Sequence, residues 1–534
     1  MEKEKAFPSI EILRKTKAPV FGVAGTHIMR LLRELSRAGL QDLYIPARTE
    51  LAAGYMAAGY SRSSSRIAFC LVTPGPGFLI GASAMLETTM KGTPVVFLSG
   101  QIHGEARGQR AGALHEFEGQ PRAASLLIEN TFFPERPEEV NRALAGAVRC
   151  SLSLPLKPSY VELPLHTLKP YEPVDDSCDL TPTKPAPPSR DSLRQCQELI
   201  NNSRHPVIFA GHGALFSRSG EKLRSLAEKI QAPLITTITA KGAIPESDEL
   251  SGGVYRRSAG GKVMERGDLL IALGTSFSLL STDNRKGPFP RKIINVNLDA
   301  FVPKIPGAEI VPLTCTVEDF IDSAEIQPRE RGKQLLETLS NARTQSLKQA
   351  RESYPKEMAY IDWLENSIPE ESAIYTDPTI IAYWMRYFYR TLEPGLFAYP
   401  SGSNSLGYAF PAALGRLTAA EAGDGYVITG DGNFPYFAGD LMAASEKNLD
   451  ITIILFNDSG YGVLREWDRW GTLERIGVNL KNPDFNKICE AFGIEYNRAD
   501  CPEDLGDILK RTKKMRGTRM IEVQDRLLPP WKVL

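Results

Sequence analysis

Three α/β domains built on parallel sheets are what this sequence predicts, on three observations. Short apolar, β-branched runs alternate with amphipathic helical stretches in every part of the chain, the pattern of strands joined by crossover helices. At 534 residues the chain is several times the size of one domain, so its apolar residues must be shared among separate cores. Two breaks divide it. The first is proline-rich, in Lys169-Pro170-Tyr171-Glu172-Pro173 and again from Pro182 to Pro188, a composition that stays extended. The second is the charged stretch from about Gln327 to Lys356, which has few apolar positions after Leu336 and reads as an exposed helix between domains.

Strands are expected at 67–72, 95–99, 207–210, 269–273, 426–429 and 451–456, with helices at 50–61 and 437–447 among those between them. No short repeat or low-complexity tract is present; whether the first and last blocks copy one sheet architecture is open at this level. Hydrophobic residues at 42% and charged residues at 24% describe a soluble globular chain and exclude a largely disordered one. Lys plus Arg total 63 against 64 Asp plus Glu, so charge gives no reason to expect a nucleic-acid or membrane partner. The expected partners are small molecules and further copies of the chain. Seven scattered cysteines without metal-ligand spacing read as reduced thiols. With no apolar segment of signal-peptide or bilayer-spanning length, the expected location is the cytoplasm.

Chemistry concentrates in the last block. The strand at 426–429 runs into Gly430-Asp431-Gly432-Asn433-Phe434, which is expected to open a helix. Glycines at such a bend let backbone N–H groups approach a phosphate, and an aspartate there can hold a cation, although Gly-Asp-Gly is also an ordinary turn. The strand at 451–456 ends in Asn457-Asp458-Ser459-Gly460-Tyr461-Gly462, which places more oxygen atoms at a strand's carboxyl end, where open parallel sheets bind ligands. Magnesium takes one or two protein oxygens beside phosphate oxygens, a demand that Asp431, Asn457 and the Ser459 carbonyl can meet.

Gly430-Asp431-Gly432 followed by Asn457 resembles the fingerprint of the thiamine diphosphate enzymes, the family of acetolactate synthase, benzoylformate decarboxylase and benzaldehyde lyase. The resemblance covers nearly the whole chain. It implies a pyrimidine-binding domain at 1–180, a central domain at 190–328 and a diphosphate-binding domain at 350–534. It implies Mg²⁺ on Asp431, Asn457 and Ser459, with Gly432 and Asn433 on the diphosphate and Gly430, Gly460 and Tyr461 completing the cradle. The segment from Arg48 to Tyr60 resembles the helix whose first glutamate activates the cofactor, which gives Glu50 that place; the helix macrodipole alone would also favour a glutamate there. Val72-Thr73-Pro74-Gly75-Pro76-Gly77 resembles the family's Gly-Pro-Gly turn, with Thr73 a pocket residue by position. In the segment from Gly402 to Ala413, Gly402 and Ser403 resemble the loop that supports the cofactor, and Leu406 takes the place of the bulky residue that bends it; a core leucine is the alternative. Asp377-Pro378-Thr379 falls where diphosphate or substrate contacts begin.

Two of the six histidines, His27 and His115, fall at positions that face substrate in relatives and could move protons near neutral pH, against the commoner fate of a hydrogen-bonded loop histidine. His103 matches no motif, and His166, His205 and His212 read as structural. In the central block Gly274 is followed by Thr275-Ser276 where acetolactate synthases carry an arginine, which speaks against FAD; Phe132 in place of a lysine speaks against a true acetolactate synthase. The resemblance implies attack on a 2-oxo acid or 2-hydroxy ketone, as decarboxylase, carboligase or acyloin lyase, with active sites shared in a homodimer or homotetramer. The competing readings are a flavin or nicotinamide oxidoreductase using the central glycines, and a catalytically silent protein that binds the cofactor.

Overall fold

The computed structural model of the chain describes residues 7–64, 66–171, 178–216, 220–299, 302–328, 333–419, 423–467 and 476–534. Three six-stranded sheets follow one another along it. The first contains β1 (Val20–Gly22), β2 (Tyr44–Pro46), β3 (Ala68–Val72), β4 (Val95–Gln101), β5 (Asn130–Phe132) and β6 (Ser159–Pro164), in the order β2-β1-β3-β4-β6-β5. The second contains β7 (Pro206–Ala210), β8 (Leu234–Thr236), β9 (Ser251–Val254), β10 (Leu269–Leu273), β11 (Lys292–Asn297) and β12 (Glu309–Thr314), in the order β12-β11-β10-β7-β8-β9. The third contains β13 (Ala373–Thr376), β14 (Phe397–Ala398), β15 (Gly425–Gly430), β16 (Ile451–Phe456), β17 (Glu495–Ala499) and β18 (Arg519–Val523), in the order β14-β13-β15-β16-β18-β17.

Neighbouring strands pair in parallel, as in β3 with β4, β10 with β7 and β15 with β16. Parallel sheets are covered on both faces, so their strands are apolar without alternation, and β3, β4, β10, β15 and β16 are buried at every position. Numbered from its own first strand, the third sheet repeats the order of the first. That decides the question of a copied architecture, which the sequence left open.

The two outer domains dock within the chain through one helix each, Glu50–Ser64 and Ala409–Ala419. Small residues make the approach possible. A Cβ added at Gly59 would overlap the Ala412 carbonyl, and one added at Gly415 would overlap Met56 backbone. Around this crossing Tyr55 and Met56 share one apolar core with Tyr408, Phe410 and Leu414.

Two expectations need correction. Helix Lys333–Ser353 is not an exposed connector: Leu335, Leu339, Ala342, Ser346 and Ala350 form a buried stripe at helical spacing, and Arg343 donates to the Glu246, Asp248 and Ser251 carbonyls. Its inward face is built largely from small residues, which an apolar count undervalues. The stretch at 437–447 is not one helix, because 3-10 turns at Phe434–Tyr436 and Ala438–Asp440 precede a short helix Leu441–Glu446. Pro435 and Gly439 keep regular helix out of the first part. The proline-rich break holds neither helix nor strand at 178–189, and its residues 172–177 lie outside the described residues. No disulfide joins any of the seven cysteines, and no helix among the described residues is long and apolar enough to cross a membrane.

Candidate active site

Asp431 and Asn457 stand at the carboxyl ends of the adjacent strands β15 and β16 and are both buried. Their oxygens converge: Asn482 Nδ2 donates to Asp431 Oδ2 and to Asn457 Oδ1, both at 2.7 Å. The amide of Asn457 is oriented by its other end, since Nδ2 donates to Glu522 Oε1 at 2.6 Å and so leaves Oδ1 facing Asp431. Gly460 N–H also donates to Asp431 Oδ2, at 2.8 Å.

Burial pushes the Asp431 carboxyl up, the Asp458 carboxylate adds to this, and Asn482 and the Gly460 N–H oppose it. Asp458 has its own partner in Arg465 at 2.6 Å, whereas no ion pair holds Asp431 among the described residues. A buried carboxylate without a cationic partner, beside a fixed amide oxygen, is a donor set that suits a hard divalent cation. Among the described residues no three His, Cys, Asp or Glu side chains cluster as ligands. Ser459 sits in the left-handed region at φ 57°, and its carbonyl accepts Leu480 N–H at 2.9 Å and faces Arg465 Nη1 at 3.4 Å.

A cavity of about 300 Å³ opens beside this pair, lined by Gly430, Asp431, Gly432, Asn433, Gly460, Tyr461 and Leu406 together with Pro378 and Thr379. Gly432 has to be glycine, because a Cβ there would come within 2.7 Å of the Tyr461 ring. Asp377 does not line the cavity. It accepts Ala409 N–H at 2.9 Å and the Thr429 hydroxyl at 2.7 Å, and complete burial pushes its carboxyl up to about 6. Gly402 and Ser403 are likewise absent from the wall. Their N–H groups donate to the carboxylate of Glu87 in the first domain, at 3.2 and 2.6 Å, and so fix the loop that carries Leu406.

Glu50 opens its helix in the first domain and is half-buried. Its carboxylate lies against the Gly-Pro-Gly turn: a Cβ at Gly77 would come 2.8 Å from Glu50 Oε1 and would overlap Thr73 Oγ1, so glycine leaves room for both. His27, 3% exposed, stacks on His115 with ring centroids 5.2 Å apart. Neither Nδ1 has a hydrogen-bond partner among the described residues. Burial lowers the proton affinity of His27, the nearby His115 lowers it further, and a backbone hydrogen bond at Leu114 opposes both. His115 itself is held in the left-handed region, at φ 62°.

Structure therefore gathers the site residues into two groups. Asp431 and the glycine turns line a cavity whose wall, among the described residues, contains nothing from the first domain, with Asn457 and Ser459 beside Asp431 but outside that wall. Glu50, Thr73, His27 and His115 form the other group. Glu522, Asn482, Glu87 and Gln120 escaped the sequence reading. Glu522 carried a signal, a lone acid in the apolar strand Met520-Ile521-Glu522-Val523; Asn482 carried none. In the central domain the glycine loops close on each other, Gly211 N–H to the Leu273 carbonyl and Gly213 N–H to the Gly274 carbonyl, and the same loops line a cavity of about 360 Å³.

The strand orders and the paired turns define a class, and sequence models place the chain within it. It matches the thiamine pyrophosphate enzyme N-terminal TPP binding domain at 10–123, the central domain at 193–322 and the C-terminal TPP binding domain at 379–523. The chain belongs to the thiamine pyrophosphate enzymes.

Among its relatives, the probable 2-ketoarginine decarboxylase AruI of Pseudomonas aeruginosa is 28% identical, covering 95% of this chain and 91% of that protein. A probable acetolactate synthase large subunit of Methanocaldococcus jannaschii is 26% identical over 92% of this chain and 86% of its own. The solved structure of the Rhodococcus jostii RHA1 thiamine diphosphate-dependent 4-hydroxybenzoylformate decarboxylase has the same fold. It superposes with a TM-score of 0.82 at 19% identity, covering 97% of this chain and 98% of that one. This chain is accordingly a thiamine diphosphate-dependent enzyme that cleaves or forms a carbon–carbon bond next to a carbonyl group.

Proposed function

We propose that the enzyme holds thiamine diphosphate with Mg²⁺ and acts on a 2-oxo acid, in a homodimer or homotetramer whose active sites are shared between subunits. One observation carries this reading: the metal-type oxygen pair and the cavity belong wholly to the last domain, while Glu50 sits outside that wall against Thr73 and Gly77. A second copy is what brings a first-domain group to each cavity. Bound thiamine diphosphate supplies a carbon nucleophile for a substrate carbonyl.

In this reading Asp431 and Asn457 hold Mg²⁺, joined by the Ser459 carbonyl, while Gly432 and Asn433 present the turn to the diphosphate. Gly430, Gly460 and Tyr461 complete the wall, and Leu406 fills the cavity from the loop that Glu87 fixes through Gly402 and Ser403. Glu50 donates or accepts the proton that activates the cofactor ring, with Thr73 packed beside it. The Nδ1 atoms of His27 and His115 have no hydrogen-bond partner among the described residues, and the two rings can pass a proton to or from the substrate oxygen. The division into domains at 1–180, 190–328 and 350–534 belongs to the same proposal. So does a cytoplasmic location.

The name of the Pseudomonas relative supports decarboxylation as the reaction. Calorimetric titration with thiamine diphosphate, with and without Mg²⁺, tests the cofactor. Pyruvate, benzoylformate, 2-ketoarginine, oxalyl-CoA and acyloins then test the substrate. Magnesium-dependent binding and CO₂ release from one of the 2-oxo acids are expected; purified protein that binds no thiamine diphosphate sinks the reading.

A further inference from the structure

Gln120 is completely buried, yet both ends of its carboxamide are engaged. Oε1 accepts Gly75 N–H at 2.8 Å. Nε2 lies 3.1 Å from the Gly100 carbonyl, 3.2 Å from Ser99 Oγ, 3.1 Å from the Tyr160 hydroxyl and 3.1 Å from Glu162 Oε2. A backbone N–H can only donate, so the oxygen of the amide must face Gly75 and its NH₂ group the four acceptors. Glu162 is buried as well and is paired with Arg107 at 3.1 Å, which keeps an acceptor charge behind the amide.

Two of these contacts, one at each end of the amide, are to glycines packed close to proposed catalytic groups. A Cβ at Gly75 would come 2.7 Å from the His115 carbonyl oxygen, and two residues along the same turn one at Gly77 would come 2.8 Å from Glu50 Oε1. On the other side, a Cβ at Gly100 would come 2.9 Å from His27 Cβ. At these three points there is no room even for a methyl group between the backbone and the group it faces, so a displaced turn displaces them too.

We propose that Gln120 is a positioning residue: it ties the Gly75–Gly77 turn to the end of β4 and so sets the spacing of Glu50, His115 and His27. An apolar side chain of equal size would leave the buried Gly75 N–H without its acceptor and release the turn. The inference rests on the proposed roles of those three residues, and the test separates the two.

Gln120→Met keeps the volume and removes both kinds of bond. In protein without cofactor, long-range ¹H–¹⁵N spectra of the six histidine rings, assigned through His27→Ala and His115→Ala, should show the His27 and His115 signals moving while the other four stay. With thiamine diphosphate and Mg²⁺, kcat per bound cofactor should fall at least about tenfold with KM within about threefold, the signature of lost orientation rather than lost binding. Gln120→Leu also removes both kinds of bond without setting a second carboxylate against Glu162, and carries both measurements if Gln120→Met does not fold. Unmoved His27 and His115 signals overturn the proposal, and so does kcat within twofold of the parent. A parent protein without turnover removes the proposed function instead, and the histidine spectra still decide whether Gln120 sets the spacing.

Discussion

The first and last sheets share one strand order and have opposite equipment. In each, the chain leaves its first strand to one side and returns for its third on the other, which opens a crevice at the carboxyl ends of those two strands. The first sheet fills that crevice from His27 and Thr73, the last from Thr379 and Asp431. Their docking helices are reciprocal: Gly59 meets Ala412, and Gly415 meets Met56. Counting back nine residues from each glycine reaches Glu50 in one domain and Leu406 in the other. One architecture thus carries a carboxylate at one copy of the position and an apolar side chain at the other copy. Topology supplies the crevice, and single side chains decide its use.

If that division holds, variants in the two domains should fail in different ways. The largest effect is expected for Glu50→Gln, which should lower kcat by about 10²–10⁴-fold while metal and cofactor titrations stay at parent values. Unchanged turnover would reject the proton role of Glu50. Asp431→Ala should instead weaken Mg²⁺-dependent cofactor binding, by at least about 10–100-fold, as read by calorimetry; equal affinity in parent and variant breaks the assignment of the metal to the last domain.

Gly59→Ala drives a methyl group into the Ala412 carbonyl and should cost about 1–3 kcal/mol of stability, seen as a lower melting temperature. Gly415→Ala should cost a similar amount, because the contact is reciprocal; a loss at one glycine alone would disprove the twofold relation of the helices. The smallest expected effect concerns His27, whose proton affinity is lowered by burial first and by His115 second. Its neutral form is favoured in the folded state, so its contribution to stability is present above the unfolded pKa of about 6.5 and is lost as pH falls through the lower folded value. An NMR titration should place its midpoint below that of a free imidazole, and His115→Ala should raise the midpoint only part of the way, since burial remains.

Legibility followed distance along the chain. β10 and β16 begin and end where apolar run-length puts them, because a strand buried on both faces needs only an unbroken apolar run between turn residues. Helix Lys333–Ser353 was misread because a stripe containing Ala342, Ser346 and Ala350 looks polar until the surface it meets is known. Asp431 and Asn457 could be named in advance because glycines at strand ends announce a bend.

The partners of those two residues could not be named. Asn482 reaches Asn457 across 25 residues, Glu522 reaches it across 65, and Glu87 holds Ser403 across 316. What the sequence determined by itself were local matters: the parallel α/β class and the glycine turns that set Asp431 and Asn457 at strand ends, whereas Glu50 was named by resemblance alone. Tertiary structure alone decided which oxygens converge, which glycines lie against Glu50 and His27, and that among the described residues the wall around Asp431 takes nothing from the first domain. The physical reason is that turns and apolar runs are set by neighbouring residues, whereas a buried polar group is satisfied by whichever donor the fold delivers, however far away in the chain.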